Sequence, residues 1–77
     1  MRRRPFDPSV RQALGQRIRL RRENLGWTQR ELCKAADLSS QRQVWGIEHG
    51  LTGMTIDTAS TVAHALGWSL GRLFKGL

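Results

Sequence analysis

Eleven of the thirteen cations in this chain are arginines, against six carboxylates. The guanidinium is a planar fork whose donors match phosphate oxygens and the guanine edge. Its distribution is uneven. Arg2, Arg3, Arg4, Arg11, Arg17, Arg19, Arg21 and Arg22 fall within residues 1–22 with Asp7 as the one acid, so that segment alone accounts for the formal net charge of +7. Three readings of this excess stay open on charge alone: a solvated helix face, a nucleic-acid partner, or an anionic membrane surface. A second group of interest is Gln41-Arg42-Gln43. Carboxamides can bond adenine bidentately, and arginine can bond guanine O6 and N7. The plainer reading of the same run is a polar helix start.

Other chemistries have little to stand on. Cys33 is the single cysteine, so no internal disulfide or thiolate metal cluster can form, and it reads as a small core filler. His49 and His64 have no carboxylate or thiol at ligand spacing. No Ser–His–Asp grouping or glycine-rich phosphate loop occurs, and Gly50 to Gly53 is merely a loop. Enzymatic activity, a metal and a cofactor are therefore not expected. No uninterrupted apolar run exceeds three residues, which excludes a membrane-spanning helix and an apolar signal segment. At 77 residues the chain has room for one small domain, and a cytoplasmic setting is the default.

The elements that must position these residues read as short helices. Residues 1–8, with Pro5 and Pro8, suggest a flexible basic arm ahead of a domain over 9–77. Ser9 is a candidate cap for a first helix over 10–24, with Val10, Leu14, Ile18 and Leu25 as its apolar marks and Gly26 as its stop. Thr28 and Glu31 form a capping box that opens a second helix over 29–36, with Leu32, Ala35 and Ala36 facing inward. Asp37 suits a left-handed turn and Leu38 plugs it. Ser40 with Gln43 makes a second capping box for a third helix over 41–49, where Val44 and Ile47 face inward. Thr55 caps a fourth over 56–66, with Ile56, Ala59, Val62, Ala63 and Leu66 inward, and Ser69 a short fifth over 70–74. No β-period segment appears. The expected fold is an all-α five-helix bundle. Trp27 and Trp68 read as packing residues, whereas Trp45 points away from Ile47, toward a partner surface or a sugar-phosphate backbone.

Helices two and three, joined by a tight turn, form a helix-turn-helix. The ordered set Gly26-Trp27-Thr28-Gln29-Arg30-Glu31-Leu32, Val44-Trp45-Gly46-Ile47-Glu48-His49-Gly50 and Ala63-His64-Ala65-Leu66-Gly67-Trp68-Ser69 resembles the Cro/phage-repressor (XRE-type, lambda-repressor-like) helix-turn-helix family over about residues 10–75. The resemblance implies a sequence-specific transcriptional regulator, in the first place a repressor, on double-stranded DNA. It implies base reading by Gln41, Arg42 and Gln43 and, one turn on, by Gly46. It places Gln29 at a phosphate, bracing helix three; Thr28, Ser40 and Arg17 are further expected at phosphates, with Arg2, Arg3 and Arg4 either wrapping the DNA or forming a plain cationic tail. It implies an Arg22–Glu48 ion pair, and a homodimer on a palindromic operator through Leu70, Leu73, Phe74 and Leu77, the plainer reading of those four being that they close the core. A bacterial or phage-encoded origin goes with it. The alternative is an antitoxin-type module that binds a protein partner, such as a toxin or another regulator, and also its own operator.

Three features depart from the family pattern. The turn is one residue longer, Asp37 stands where glycine is usual, and Cys33 stands where alanine is usual. The longer turn leaves the register of helix three open between Gln41 and Gln43. Gly46 in mid-helix costs about 0.5–1 kcal/mol relative to alanine. Close approach to DNA is one reason for it, and a site without base contact is the other.

Overall fold

Proline fixes φ near the helical value and lacks the N–H that a first turn would leave unpaired. Pro8 accordingly opens the first helix in the computed structural model, which describes residues 8–77. The chain runs α1 (Pro8–Asn24), α2 (Gln29–Ala35), α3 (Gln41–Glu48), α4 (Ile56–Ala65) and α5 (Leu70–Phe74), with no strand among the described residues. Ser9 thus lies inside the first turn of α1 and is not its cap. The basic arm expected over residues 1–8 falls outside the described residues except for Pro8.

The remaining helix starts are local chemistry. Thr28, Ser40, Thr55 and Ser69 each accept a hydrogen bond from the backbone N–H three residues on. Four helix stops share one device. The N–H of Trp27, Leu38, Leu51 and Trp68 each reaches a carbonyl five residues back, over a left-handed residue at Gly26, Asp37, Gly50 or Gly67. Asp37, at φ 53°, is the position where a side chain tolerates what glycine does elsewhere.

The core is Ile18 of α1, Leu32 and Ala36 of the α2 end, Val44 and Ile47 of α3, Ala59, Val62, Ala63 and Leu66 of α4, and Leu73 of α5. Trp27, Leu38 and Trp68, which follow three of the helix stops, close its rim with Cys33 and Leu70. Four residues expected inside are exposed: Val10, Leu25, Ala35 and Ile56. Val10 and Ile56 belong to first helical turns and Leu25 to a chain reversal, where the packing partners run out. The stripe of α1 that packs contains Gly15 and Arg22 as well as Ile18. Gly15 lets α1 cross the end of α3, since a Cβ there would lie 2.3 Å from the Ile47 carbonyl oxygen and 2.8 Å from that of Glu48.

Candidate nucleic-acid interface

Glu48 anchors α3 to its neighbours and is buried at the helix's C-terminal end. The Arg22 Nε donates to Glu48 Oε2 at 2.6 Å and Nη2 to Oε1 at 3.1 Å. Arg22 Nη1 donates to the Trp27 carbonyl at 2.7 Å, and Gln29 Nε2 donates to Glu48 Oε1 at 3.2 Å. One carboxylate therefore joins α1, α2 and α3. The hydrogen bond from Arg22 to Glu48 pushes the guanidinium pKa further up and outweighs the desolvation that pulls it down.

The other end of α3 begins at Ser40, whose Oγ accepts from the Gln43 N–H. Gln41 and Arg42 follow as exposed residues, and among the described residues neither side chain has a partner. Gln43 does not complete a capping box on Ser40. Its Oε1 accepts instead from the Ser39 N–H at 3.3 Å and the Ser39 hydroxyl at 2.9 Å, which leaves its amide nitrogen as the outward donor. Trp45 stands one turn beyond Gln41 and Arg42, 46% exposed, with its ring stacked on His49 at 4.0 Å between centroids. The sequence leaves Trp45 open between a partner surface and a sugar-phosphate backbone. The spacing i+3 from Arg42 and i+4 from Gln41 was the signal that sets all three on one helical face.

Gly46, expected to face a base one turn along, is buried. A Cβ there would fall 2.4 Å from Thr52 Oγ1, and the Thr52 and Leu51 N–H groups both reach the Gly46 carbonyl. Its missing side chain makes room for the loop after α3. Arg17, expected at a phosphate, donates from Nη1 to the carbonyls of Leu73 and Lys75 and so caps the end of α5. Arg21 treats α4 likewise: its Nε donates to the Leu66 carbonyl at 3.0 Å and its guanidinium lies 5.2 Å from the Trp68 ring centroid. Two of the five arginines of α1 thus serve helix ends. Leu73, expected on a dimer surface, is completely buried in the core, whereas Leu70 is half-buried and Phe74 and Leu77 are exposed.

A family model described as helix-turn-helix matches residues 18–73. The chain belongs to the XRE-type helix-turn-helix family. Members are DNA-binding transcription regulators and not enzymes, and α2 with α3 is the helix-turn-helix of this domain. Among solved structures, the domain is similar to the clp gene regulator ClgR from Corynebacterium glutamicum, with 31% identity and a TM-score of 0.80 over 92% of this chain and 90% of that one. It is similar to the restriction-modification controller protein C.AhdI from Aeromonas hydrophila, with 26% identity and a TM-score of 0.79 over 88% of this chain and 100% of that one. The hypothetical transcription factor NHTF from Neisseria matches with 27% identity and a TM-score of 0.78 over 96% of this chain and 85% of that one. No curated protein sequence gives a significant match. Among the described residues no helix is long and apolar enough to cross a membrane.

Proposed function

We propose that this protein is a sequence-specific repressor that acts in the cytoplasm as a homodimer on a palindromic operator, with α3 in the major groove. One observation carries the reading. Gln41 and Arg42 are exposed and without side-chain partners among the described residues, at the start of a helix whose other end is fixed by a buried three-helix network. Arg42 is matched to guanine, Gln41 to adenine, and Gln43 contributes its amide N–H. The Thr28 and Ser40 hydroxyls accept cap bonds and retain a proton to donate to phosphate. Gln29 keeps a second amide hydrogen for the same purpose while bracing Glu48. Arg2, Arg3 and Arg4 add attraction along the adjacent groove.

Dimerisation uses Leu70, Phe74 and Leu77 near the chain end. The shallow cleft of about 610 Å³ that Leu77 lines with Leu20 and Trp68 favours a second reading in which a protein partner, such as a toxin, docks beside α1. Co-purification of such a partner with the full chain supports that reading.

The test is selection of binding sites from random duplexes followed by protection mapping. The expected result is a two-fold pattern with half-sites about one helical turn apart. Equal affinity for every duplex overturns it. A reporter driven by the selected operator is expected to fall when the protein is supplied, and a rise contradicts repression.

A further inference from the structure

Trp45 is a large apolar ring on a face otherwise made of Gln41, Arg42 and His49. With 46% of it exposed, it lies outside the buried core cluster. The ring is also held. His49 stacks against it with 21° between ring planes, and the His49 Nδ1 lies 2.8 Å from the Trp45 carbonyl oxygen, so one face of the indole is covered and fixed. An aromatic side chain restrained before its ligand arrives loses little conformational freedom on binding. What remains uncovered continues the surface of Gln41 and Arg42 by one helical turn.

A major groove offers mostly donors and acceptors, and its one apolar landmark is the thymine C5-methyl. We propose that Trp45, backed by His49, is a specificity-determining residue that packs on a thymine methyl in each half-site, next to the base pairs read by Gln41 and Arg42. This rests on the groove-facing reading of α3. It adds a term that hydrogen-bonding residues cannot supply, namely discrimination of thymine from uracil. A helix held apart from the bases by its own polar groups would leave the indole in water, so the contact also requires α3 to sit deep in the groove over its second turn.

The experiment replaces each operator thymine in turn with deoxyuridine, which removes only the methyl group, and measures affinity by fluorescence anisotropy for the wild-type chain and for Trp45→Ala, Trp45→Phe and Arg42→Ala. One thymine per half-site is expected to lose about fourfold on replacement with the wild type, the equivalent of one buried methyl group. Trp45→Ala is expected to bind the thymine operator less well and to be indifferent to that replacement, while Trp45→Phe retains part of the sensitivity. Thermal melting of each variant separates loss of contact from loss of fold, and Trp45→Phe carries the test if Trp45→Ala melts early. Indifference of the wild type to deoxyuridine at every position overturns the inference. So does an equal loss for Trp45→Ala on all duplexes, which would place the ring on the sugar-phosphate backbone, or unchanged DNA affinity with loss of a co-purifying protein. Arg42→Ala distinguishes the two levels. If it changes sequence preference while Trp45→Ala does not, the groove-facing reading stands and the methyl contact falls. If neither does, the reading itself falls.

Discussion

Arg22 and Glu48 are 26 residues apart in the chain and meet as a buried two-pronged pair, with the Glu48 side chain wholly shielded from water. Removing Arg22 leaves the buried Glu48 charge with only the Gln29 amide, and removing Glu48 leaves Arg22 with only the Trp27 carbonyl and the Glu23 carboxylate 4.0 Å away. Glu48→Ala is therefore expected to destabilise the domain by about 3–5 kcal/mol, measured by urea denaturation. Arg22→Met with Glu48→Leu is expected to cost less than either single truncation, because no charge is left buried. The double replacement also removes the acceptor that holds Gln29, so DNA affinity should fall even where stability recovers.

Gly15 is expected to be intolerant for a different reason. The atoms that a Cβ would strike are carbonyl groups of the α3 end, which cannot rotate away. Gly15→Ala should lower stability by about 1–3 kcal/mol or more, despite alanine's better helix propensity. Because α1 would be levered off α3, thermal melting and DNA affinity should fall together.

Asp37 offers the opposite sign. A side chain in the left-handed region costs roughly 1–2 kcal/mol, and a carboxylate at a helix C-terminus faces the negative end of the dipole. Asp37→Gly loses some of this gain to greater freedom in the unfolded chain. The expected net is a stabilisation of about 0.5–1 kcal/mol, visible as a rise in Tm of a few degrees.

Glu31 gives the domain an acid-sensitive cap. The Thr28 backbone N–H, and then its side chain, hold the Glu31 carboxyl below its ordinary 4.5. A carboxyl with a depressed folded pKa contributes stability that is complete above its unfolded value and is lost as pH falls through the folded one. Melting temperature should therefore decline below about pH 4.5. Glu31→Gln keeps an oxygen for the Thr28 N–H and should flatten that part of the profile. An unchanged slope in Glu31→Gln would show that other carboxylates set it.

The contrast between these residues explains how much of the molecule was legible in the sequence. Caps at Thr28, Ser40, Thr55 and Ser69, and the stop at Gly26, are interactions within five residues, so type and spacing revealed them. The five helices and the inward residues of α3 followed. What was missed depends on how the chain folds back on itself, just past a helix end at Gly46 and across the domain at Arg17. Gly46 is small because Thr52 folds back over it, and Arg17 leaves the DNA problem because the α5 carbonyls lie within its reach. Leu73 stays open in the sequence between dimer surface and core because a five-residue helix gives too short a pattern to show its buried side. The Arg22–Glu48 geometry spans three helices, and only the family resemblance pointed to it beforehand.

The proposed function divides attraction from reading: an arginine-rich first segment draws the protein to DNA and a nearly neutral α3 chooses the sequence. The most direct measurement is the affinity of wild type and Arg42→Ala for the selected operator and for a scrambled duplex, across a salt series. Arg42→Ala is expected to lose roughly 5- to 150-fold on the operator, the equivalent of one bidentate base contact, with scrambled binding nearly unchanged. Equal losses on both duplexes, with a shallower salt slope, would make Arg42 a phosphate contact and contradict the account.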